Sequence, residues 1–522
     1  MKKIIILTNI ALLLLLGACS ESDFDSRYAD PDKTSSTSPE KLMTGVFKAG
    51  HEYTMPSYYR YFTFETQQIG RFAQTLGWVN SAGMYQGMGE SYNDSRWTNF
   101  YKMLTQYRKL ENLFVNYSEK EKQDNEIFLL CARIFVYDHL QQMVDIWGDM
   151  PFKEACFLPL TGVVETSYPS YDRDTDLYKT MLDDLKAINA SMSTMNLSGL
   201  ASIQMNQQDY INGGNPALWR KYCNSLRLRV AARVSDQGSL TSEGRAAIKE
   251  MLESPALYPV IDNNSENVLI VPKSPDLEVK DWIRQGFESW AGSCNRASKI
   301  MIDELTGDPR LEILFDKNTE GDYVGIDPLM VSTDQQKLFE RPTAEGGNFF
   351  SAVDSATFSR NESFPGIAMT AAEVDFIKAE AYLKWGAGGD AQGAFESAVT
   401  KSIEFYYYLN SLGGYRRPIA APDSSTLATF ATSKWNAYGS KEEAVATQKW
   451  LHFGNIQMVQ AWNEIRKTNY PTLGFTLDIG SLDCPSPPLR LRYTTNEKSY
   501  NFEKYKEVQA KDSYYEKPFW AK

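Results

Sequence analysis

The sequence predicts a mostly α-helical protein: a tetratricopeptide-like scaffold of helical pairs with long irregular ligand-binding loops and little β-structure. Three observations support this fold class. Several long segments repeat apolar residues at three- and four-residue spacing, and one of them has the small/large alternation of a tetratricopeptide hairpin. The stretches between these segments are rich in glycine, proline, asparagine and aromatic residues and lack sustained periodicity.

Residues 1–18 have the pattern of a secretory signal peptide. Two lysines precede an apolar run that is too short to span a bilayer, which needs about 20 apolar residues. The segment Leu16-Gly17-Ala18-Cys19 resembles the bacterial lipobox, in which the cysteine sulfur receives a lipid. We therefore expect Cys19 to anchor the mature protein. The alternative is an ordinary signal peptide with an incidental cysteine.

Residues 19–40 are short and polar, with two prolines, and predict a flexible tether that leads to a single unit over residues 41–522. The acidic residues just after Cys19 are similar to the signal that sends some lipoproteins to the outer leaflet of the outer membrane. We expect a lipid-anchored protein of the cell outer membrane, exposed at the surface.

The charge of the chain excludes one class of partner. Lys and Arg number 54 against 66 Asp and Glu, which gives a net charge of −12, and there is no basic block. Such a surface repels phosphate backbones, so we expect no nucleic-acid partner. The six cysteines are widely scattered, and without Cys19 they form an odd set, so we expect buried thiols rather than a disulfide framework.

Two early segments predict core helices. "NEIFLLCARIFVYDHLQQMVDIWGDMPF", residues 125–152, carries apolar residues at helical spacing and stops at Gly148 and Pro151. "PALWRKYCNSLRLRVAARV", residues 216–234, starts on a proline and carries a stripe of apolar residues. That stripe consists of Leu218, Tyr222, Leu226 and Val230.

Residues 370–409 predict a helical hairpin around a turn at Gly386–Asp390. The small residues Ala379, Ala391 and Ala398 alternate with large ones as they do in tetratricopeptide pairs. One hairpin cannot bury its own apolar face, so it needs stacked neighbours, and a predicted helix over residues 447–467 is one of them. The long irregular stretches at residues 258–295 and 321–363 are expected to be functional loops.

Several blocks, in this order, resemble the SusD/RagB family of outer-membrane nutrient-binding lipoproteins. They are the lipobox, "YDHLQQMVDIWGDMPFKEA", "LWRKYCNSLRLRVAAR", "GDPRL", "MTAAEVDFIKAEAYL" and "QKWLHFGNIQMVQAWNEIRKTNYP". The C-terminal block departs from the family, because both of its usual prolines are missing near Arg490, although Asn501 keeps its spacing. The resemblance implies a helical lid on a SusC-type TonB-dependent transporter, which captures oligosaccharide or sometimes peptide for import.

The motifs of common enzymes and metal sites are missing from the sequence. The three histidines are far apart, and there is no zinc signature, Gly-x-Ser-x-Gly elbow or phosphate loop. "DRDTD", residues 172–176, has the alternating acids of a calcium loop, but Leu177 and Asp183 stand where glycine and glutamate are expected. We expect these acids to stabilise the start of a helix, with bound calcium as the alternative, and we predict no catalytic residue and no cofactor.

Aromatic residues are abundant: 11 Trp, 30 Tyr and 26 Phe. The flat C–H faces of sugars pack on aromatic faces, and their hydroxyls pair with amides, carboxylates or guanidinium groups at the edge. Aromatic residues in glycine-containing loops are therefore candidates for a sugar site, and by resemblance two such loops, residues 76–94 and 280–295, match those that supply ligand contacts. The predicted ligand-binding residues are Trp78, Asn80, Tyr85, Gln86, Trp282, Arg284 and Trp290, with Tyr92 as a further candidate in the first loop.

Three other interpretations remain open. The first is a SusD-like protein whose cargo is a peptide or another nutrient. Separately, the alternative for each of Trp78, Trp282 and Trp290 is a ring that fills a gap between helices. A tetratricopeptide-type adaptor would bind only protein, although the long aromatic loops count against it. A glycoside hydrolase would need two carboxylates about 5 Å apart, which sequence spacing does not reveal.

Overall fold

A computed structural model describes residues 37–86, 90–164, 167–272, 277–288, 296–341 and 349–522. The predicted signal peptide, Cys19, most of the predicted tether and Trp290 lie outside these residues. Helix formation begins at Pro39, two residues before the predicted start of the folded unit.

The first half of the described chain is a succession of α-helices. They are α1 (Pro39–Gly50), α2 (Gly70–Phe72), α3 (Glu90–Val115), α4 (Glu119–Trp147), α5 (Leu158–Thr161), α6 (Asp174–Thr194), α7 (Gly199–Gln208), α8 (Pro216–Val234) and α9 (Thr241–Glu253). A π-helix, π1 (Tyr58–Ile69), precedes α2, and short 3-10 turns cover His51–Tyr53 and Asn264–Glu266. The predicted core segments over residues 125–152 and 216–234 correspond to α4 and α8.

The second half continues the helical pattern. It contains α10 (Leu277–Glu288), α11 (Lys299–Leu305), α12 (Leu311–Leu314), α13 (Ser332–Phe339), α14 (Ala371–Lys384), α15 (Ala391–Leu412), α16 (Ser424–Ala437), α17 (Lys441–Phe453), α18 (Met458–Thr468), α19 (Thr495–Tyr500) and α20 (Phe502–Val508). A second π-helix, π2 (Ser355–Ser359), precedes α14, and a 3-10 turn covers Gln509–Lys511.

Strands are a minor part of the described residues. The strands β1 (Val268–Ile270) and β2 (Gly366–Met369) form an antiparallel pair, in which Leu269 lies opposite Ile367. The register shifts next to Val268. The prediction of a mostly helical protein with little β-structure is therefore confirmed.

The predicted tetratricopeptide-like hairpin is formed by α14 and α15. Thr370 caps the start of α14 by accepting a hydrogen bond from a backbone N–H, and Asp390 caps α15 in the same way. Ala379 and Ala398 are fully buried. The two helices pack against each other, as the sequence pattern indicates.

The prediction of one helix over residues 447–467 is wrong in detail, because the chain breaks there into α17 and α18. The break follows Gly454, whose φ of +33° is unfavourable for residues with a side chain. A Cβ on Gly454 would also lie 2.9 Å from the Tyr406 hydroxyl. The predicted neighbours of the hairpin are thus two shorter helices, and both pack in the core.

The two predicted irregular stretches contain more regular structure than expected. Residues 258–295 include β1 and α10, and residues 321–363 include α13 and π2. The four cysteines among the described residues are free thiols: Cys131, Cys223 and Cys484 are buried, and Cys156 is partly buried. The prediction of free thiols instead of disulfides holds for these four, and that of burial holds for Cys131, Cys223 and Cys484.

Enlarging the close contact between α14 and α15 is expected to destabilise the scaffold. Ala398→Leu forces extra methylenes into a fully packed position, which costs about 1–3 kcal/mol. Ala391→Leu is the matched control, because Ala391 is only partly buried at the start of α15, and its effect is expected to stay below about 1 kcal/mol. Thermal melts of both variants measure the difference. If Ala398→Leu melts like the parent protein, the register of the hairpin is wrong.

Candidate functional site

The first predicted loop does not expose its aromatic rings. Trp78 and Tyr85 are each 1% exposed, so the prediction that these two rings are available at the surface is wrong. The reason is a long-range contact with the segment 474–486. Tyr85 packs edge-on against Phe475, with ring centroids 6.2 Å apart, and its hydroxyl donates to the Thr476 carbonyl over 2.7 Å.

The amides of this loop are also used for internal contacts. Asn80 Nδ2 donates to the carbonyl of Pro328 over 2.9 Å, and the Asn80 backbone N–H donates to Gln335 Oε1 over 2.7 Å. Gln86 Nε2 donates to Ser481 Oγ over 2.7 Å. Among the described residues, none of the hydrogen bonds of these two amides reaches α10, where the second predicted group lies.

The helix α10 places Trp282 at the edge of the core. Ile283 and Phe287 are buried, and Gly286 lies against Tyr61 of π1. Each residue of an α-helix is rotated by about 100° from the last. Trp282 therefore flanks the buried face and remains partly exposed. Its position meets the expectation of an accessible ring better than Trp78 does.

Trp282 belongs to a group of aromatic side chains contributed by α10, π1 and α3. Tyr58 meets Trp282 edge-on, with ring centroids 4.8 Å apart, and Tyr59 lies 5.1 Å from Tyr58 and is 42% exposed. Tyr92 of α3 is partly exposed, and its hydroxyl interacts with the Tyr58 hydroxyl. Burial, followed by the neighbouring hydroxyls of Tyr92 and Tyr59, raises the pKa of Tyr58. We call Tyr58, Tyr59, Tyr92 and Trp282 the aromatic surface.

The π-helix π1 holds its part of the aromatic surface in place through buried polar contacts. Arg60 donates from Nε to Glu65 over 2.9 Å and from Nη2 to the Ile456 carbonyl over 2.9 Å. The Tyr61 hydroxyl donates to the Asn455 carbonyl, also over 2.9 Å. These contacts fix the residues that follow Tyr58 and Tyr59 against the core. π-Helical segments occur frequently at functional sites.

Arg284 lies on the other flank of α10 from Trp282, because side chains two positions apart on an α-helix point in directions about 200° apart. Its Nε donates to Glu288 over 3.2 Å, which makes an exposed ion pair along the helix. Both residues are predicted ligand-binding candidates in one segment, but the structure does not bring them together. They share a helix but lie on opposite sides of it.

The acids of the segment 172–176 are used for local structure. Asp174 and Asp176 lie in the first turn of α6, as the sequence predicts. Asp149 accepts from the backbone N–H of Asp174 over 2.9 Å and from Lys511 Nζ over 2.8 Å. The Lys511 ammonium group therefore supplies the positive charge beside these acids. Burial, followed by the charge of Asp149, raises the pKa of Asp174 to about 6. No described group of three or more potential ligand side chains is placed to hold a metal.

Asp316 and Asp354 form an acid pair outside the segment 172–176. Both carboxylates lie against Arg416, and burial followed by the charge of Asp316 raises the pKa of Asp354 to about 6. However, Asp354 is only 3% exposed and accepts from the backbone N–H of Thr357 over 2.6 Å. This carboxyl group caps π2 and is closed to a substrate.

Sequence reasoning missed two of the four residues of the aromatic surface. Tyr58 and Tyr59 follow Pro56 and Ser57, and a pair of aromatic residues just after a proline and a helix cap was the available signal. The arrangement as a whole offers partly exposed rings on a rigid support. It can pack against a flat apolar face of a ligand, and its hydroxyls can pair with polar edges.

Comparison with known proteins finds one family whose model matches most of the chain. A model of the SusD-like family, described as "Starch-binding associating with outer membrane", matches residues 31–494. No curated protein has a significant match.

Solved structures with the same fold cover nearly the whole chain. A chitin-binding protein is 21% identical, with coverage of 93% of this chain and 100% of its own, and a TM-score of 0.73. A SusD homologue from Bacteroides fragilis is 19% identical, covers 91% of this chain and 97% of its own, and has a TM-score of 0.69. A chitin-binding SusD homologue from Flavobacterium johnsoniae is 17% identical, covers 92% and 98%, and has a TM-score of 0.67.

Proposed function

Since this chain belongs to the SusD-like family, we propose that it binds oligosaccharide or polysaccharide nutrients at the cell surface. It delivers them to a partner SusC-type TonB-dependent outer-membrane transporter and does not cleave them. The family description and the two chitin-binding structures of the same fold support a carbohydrate as the ligand. The observation that carries the proposal is the aromatic surface around Trp282.

The aromatic surface suits a sugar because of its shape and its chemistry. Trp282 and Tyr59 present ring area that is only partly covered by protein, and Tyr58 braces Trp282 from the side. A sugar ring that stacks on these side chains displaces water from them. Each aromatic contact contributes about 0.5–1.5 kcal/mol to the binding free energy beyond area burial. The raised pKa of Tyr58 keeps its hydroxyl neutral at physiological pH. Tyrosine hydroxyls can donate to or accept from sugar hydroxyls.

The proposal is a binding role without hydrolysis. A retaining glycosidase needs two carboxylates about 5 Å apart on either side of an accessible bond. The pair Asp316 and Asp354 fails this requirement, because the Asp354 carboxyl group is buried and engaged as a helix cap. The proposal therefore assigns no catalytic residue.

The proposed location rests on the lipobox and on the family. None of the described helices has the length and apolar character needed to cross a membrane. A lipid on Cys19 supplies the membrane attachment in this proposal, and the predicted tether separates it from the folded unit. The aromatic surface then faces the nutrient and the transporter from outside the bilayer.

Trp282→Ala is expected to weaken glycan binding while leaving the fold intact. Loss of one stacking ring lowers affinity roughly three- to tenfold. Trp78→Ala is the matched control, because Trp78 is a fully buried ring in a large core, and its removal is expected to cost about 3–5 kcal/mol of stability. Calorimetric titration with a panel of oligosaccharides and of peptides, together with thermal melts, measures both effects.

The two tryptophan variants separate a binding ring from a packing ring. If Trp282→Ala binds as tightly as the parent protein, or melts as early as Trp78→Ala, the aromatic surface is not the ligand site. If the parent protein binds only the peptides, its cargo is a peptide. Release of reducing sugar from the oligosaccharides by the parent protein would refute the assignment as a binding protein.

A further inference from the structure

We propose that the cleft on the Arg284 flank of α10 is a second subsite for the glycan, one that holds the hydroxyl edge of a neutral sugar residue. This inference rests on the proposed function and extends it to a bipartite site. The cleft has a volume of about 560 Å³. It is lined by Arg284, Ser359, Arg360, Glu362, Ser363, Leu412, Gly414 and Tyr415.

The guanidinium groups of the cleft are fixed by one carboxylate. Glu288 accepts from Ser359 Oγ over 2.6 Å, from Arg360 Nε over 2.8 Å and Nη2 over 3.1 Å, and from Arg284 Nε over 3.2 Å. Burial raises the pKa of Glu288, but the hydrogen bonds from Arg360, Ser359 and Arg284 outweigh it and lower that pKa. The carboxylate is therefore charged and fully occupied at neutral pH.

The remaining donors of these arginines are available to a ligand. A guanidinium group has five N–H donors in a rigid fork, and Glu288 uses only some of them. The Arg284 side chain is about half exposed, and Arg360 is partly exposed. Because their orientation is already fixed, a sugar hydroxyl that accepts from them does not have to order the side chains.

Tyr415 gives the cleft an aromatic wall. The ring is 46% exposed, and the Arg360 guanidinium lies over it, 4.6 Å from the ring centroid. Arg416, which also lies near this ring at 5.5 Å, is held by Asp316 and Asp354. The Arg360 contact and the ion pairs of the adjacent Arg416 keep Tyr415 beside the cleft.

The charges of the cleft favour a neutral ligand. Arg284 and Arg360 are balanced by Glu288 and Glu362, and just outside the cleft Arg416 faces two aspartates. The described lining residues carry no excess of positive charge that would select an anion, and the chain as a whole is acidic. A ligand rich in uncharged hydroxyl groups satisfies both the donors and the acceptors of such a lining.

The outer surface of α10 connects this cleft to the aromatic surface. Trp282 flanks one side of the helix and Arg284 the other, and Gln285 is exposed between them. The full width of an α-helix with its side chains is about 10–12 Å. A single oligosaccharide that crosses α10 can thus stack on Trp282, meet the Gln285 amide and reach the cleft with another sugar residue.

The test is a length series of chitin- and starch-derived oligosaccharides, titrated calorimetrically into the full-length protein, two cleft variants, Trp282→Ala and two control variants. Tyr415→Ala and Arg360→Met are expected to lower the affinity for long oligosaccharides roughly three- to tenfold and to leave that for disaccharides unchanged. Trp282→Ala is expected to lower the affinity at every length. The matched controls are Tyr500→Ala and Arg173→Ala, which replace highly exposed residues outside the cleft. They should leave the affinities for both long oligosaccharides and disaccharides unchanged.

The outcomes distinguish the subsite from the proposed function. If the parent protein binds glycans and both cleft variants retain its affinity at every length, the subsite is refuted and the proposed function stands. An equal loss at every length would also refute a separate subsite. If Arg360→Met does not fold, Tyr415→Ala and Tyr415→Leu decide the matter, since Tyr415 lies in an exposed segment. Absence of all glycan binding by the parent protein would refute the proposed function and the subsite with it.

Discussion

Arg229→Leu is expected to lower the free energy of unfolding by about 3–5 kcal/mol, because it leaves two buried carboxylates without their counter-charge. Arg229 of α8 donates from Nη1 to Asp138 over 3.0 Å and from Nη2 to Glu373 over 2.7 Å. It also donates to the Ala368 carbonyl over 2.7 Å. All three charged side chains are at most 3% exposed.

This buried group joins parts of the chain that are distant in sequence. Asp138 belongs to α4, Glu373 to α14, and Ala368 to β2. Burial lowers the pKa of Arg229, but the charges of Glu373 and Asp138 outweigh it and raise that pKa. The arginine therefore stays protonated, and the ion pairs join the three helices α4, α8 and α14.

Chemical denaturation of three variants tests this account. Arg173→Leu is the control, because it removes an exposed ion pair with Asp176 and should cost less than about 1 kcal/mol. The triple variant Asp138→Leu, Arg229→Met and Glu373→Leu removes every charge and is expected to be more stable than Arg229→Leu alone. If Arg229→Leu costs no more than Arg173→Leu, the buried ion pairs do not hold the scaffold.

Cys19→Ser is expected to remove the protein from the membrane fraction, because the lipid on Cys19 is the proposed anchor. Each buried methylene contributes about 0.8 kcal/mol, so several acyl chains hold a protein on a membrane almost permanently, and their loss is an all-or-none effect. The folded unit should be unaffected, since Cys19 lies 20 residues before the first described helix, which begins at Pro39. Fractionation of cells and a thermal melt of the variant measure these two expectations.

Cys156→Ser is the matched control for the anchor. Cys156 is a free, partly buried thiol on the folded unit, and its replacement should leave the protein in the membrane fraction. Mass analysis of the mature N-terminus adds a second readout, because lipidation changes the mass of the first residue. Recovery of Cys19→Ser with the membranes, or an unmodified Cys19 in the parent protein, would contradict the proposed attachment.

The helical scaffold could be predicted from sequence because helix periodicity is local. The hairpin of α14 and α15 is visible in the spacing of Ala379 and Ala398, and both residues are fully buried in the structure. The break after Gly454 was harder to see, since the apolar pattern continues on both sides of it. It depends on a backbone conformation and on the nearby Tyr406 hydroxyl, and neither follows from the pattern.

The candidate site could be predicted only in part, because exposure depends on contacts between distant segments. Trp78 and Tyr85 lie in a glycine-containing loop, yet the segment 474–486, nearly 400 residues away, covers that loop. Trp282 and Arg284 were grouped because their segment looked irregular. The spacing of Ile283 and Phe287 indicates the helix that separates them, and this signal was overlooked.

Tyr415 was also missed, although it meets the same criterion of an aromatic residue in a glycine-containing loop. It directly follows Gly413 and Gly414. Its neighbours Arg360 and Glu288 come from elements that only the fold brings to it. A sequence pattern can nominate such a ring, but it does not show which donors surround it.

Calorimetric titration of the full-length protein with oligosaccharides, in parallel with Trp282→Ala and Trp78→Ala, tests the central claim most directly. The account predicts that the parent protein binds a glycan without shortening it. It also predicts that Trp282→Ala loses roughly three- to tenfold in affinity at an almost unchanged melting temperature, and that Trp78→Ala loses mainly stability. Equal glycan affinities of the parent protein and Trp282→Ala, or no glycan binding at all, would contradict it.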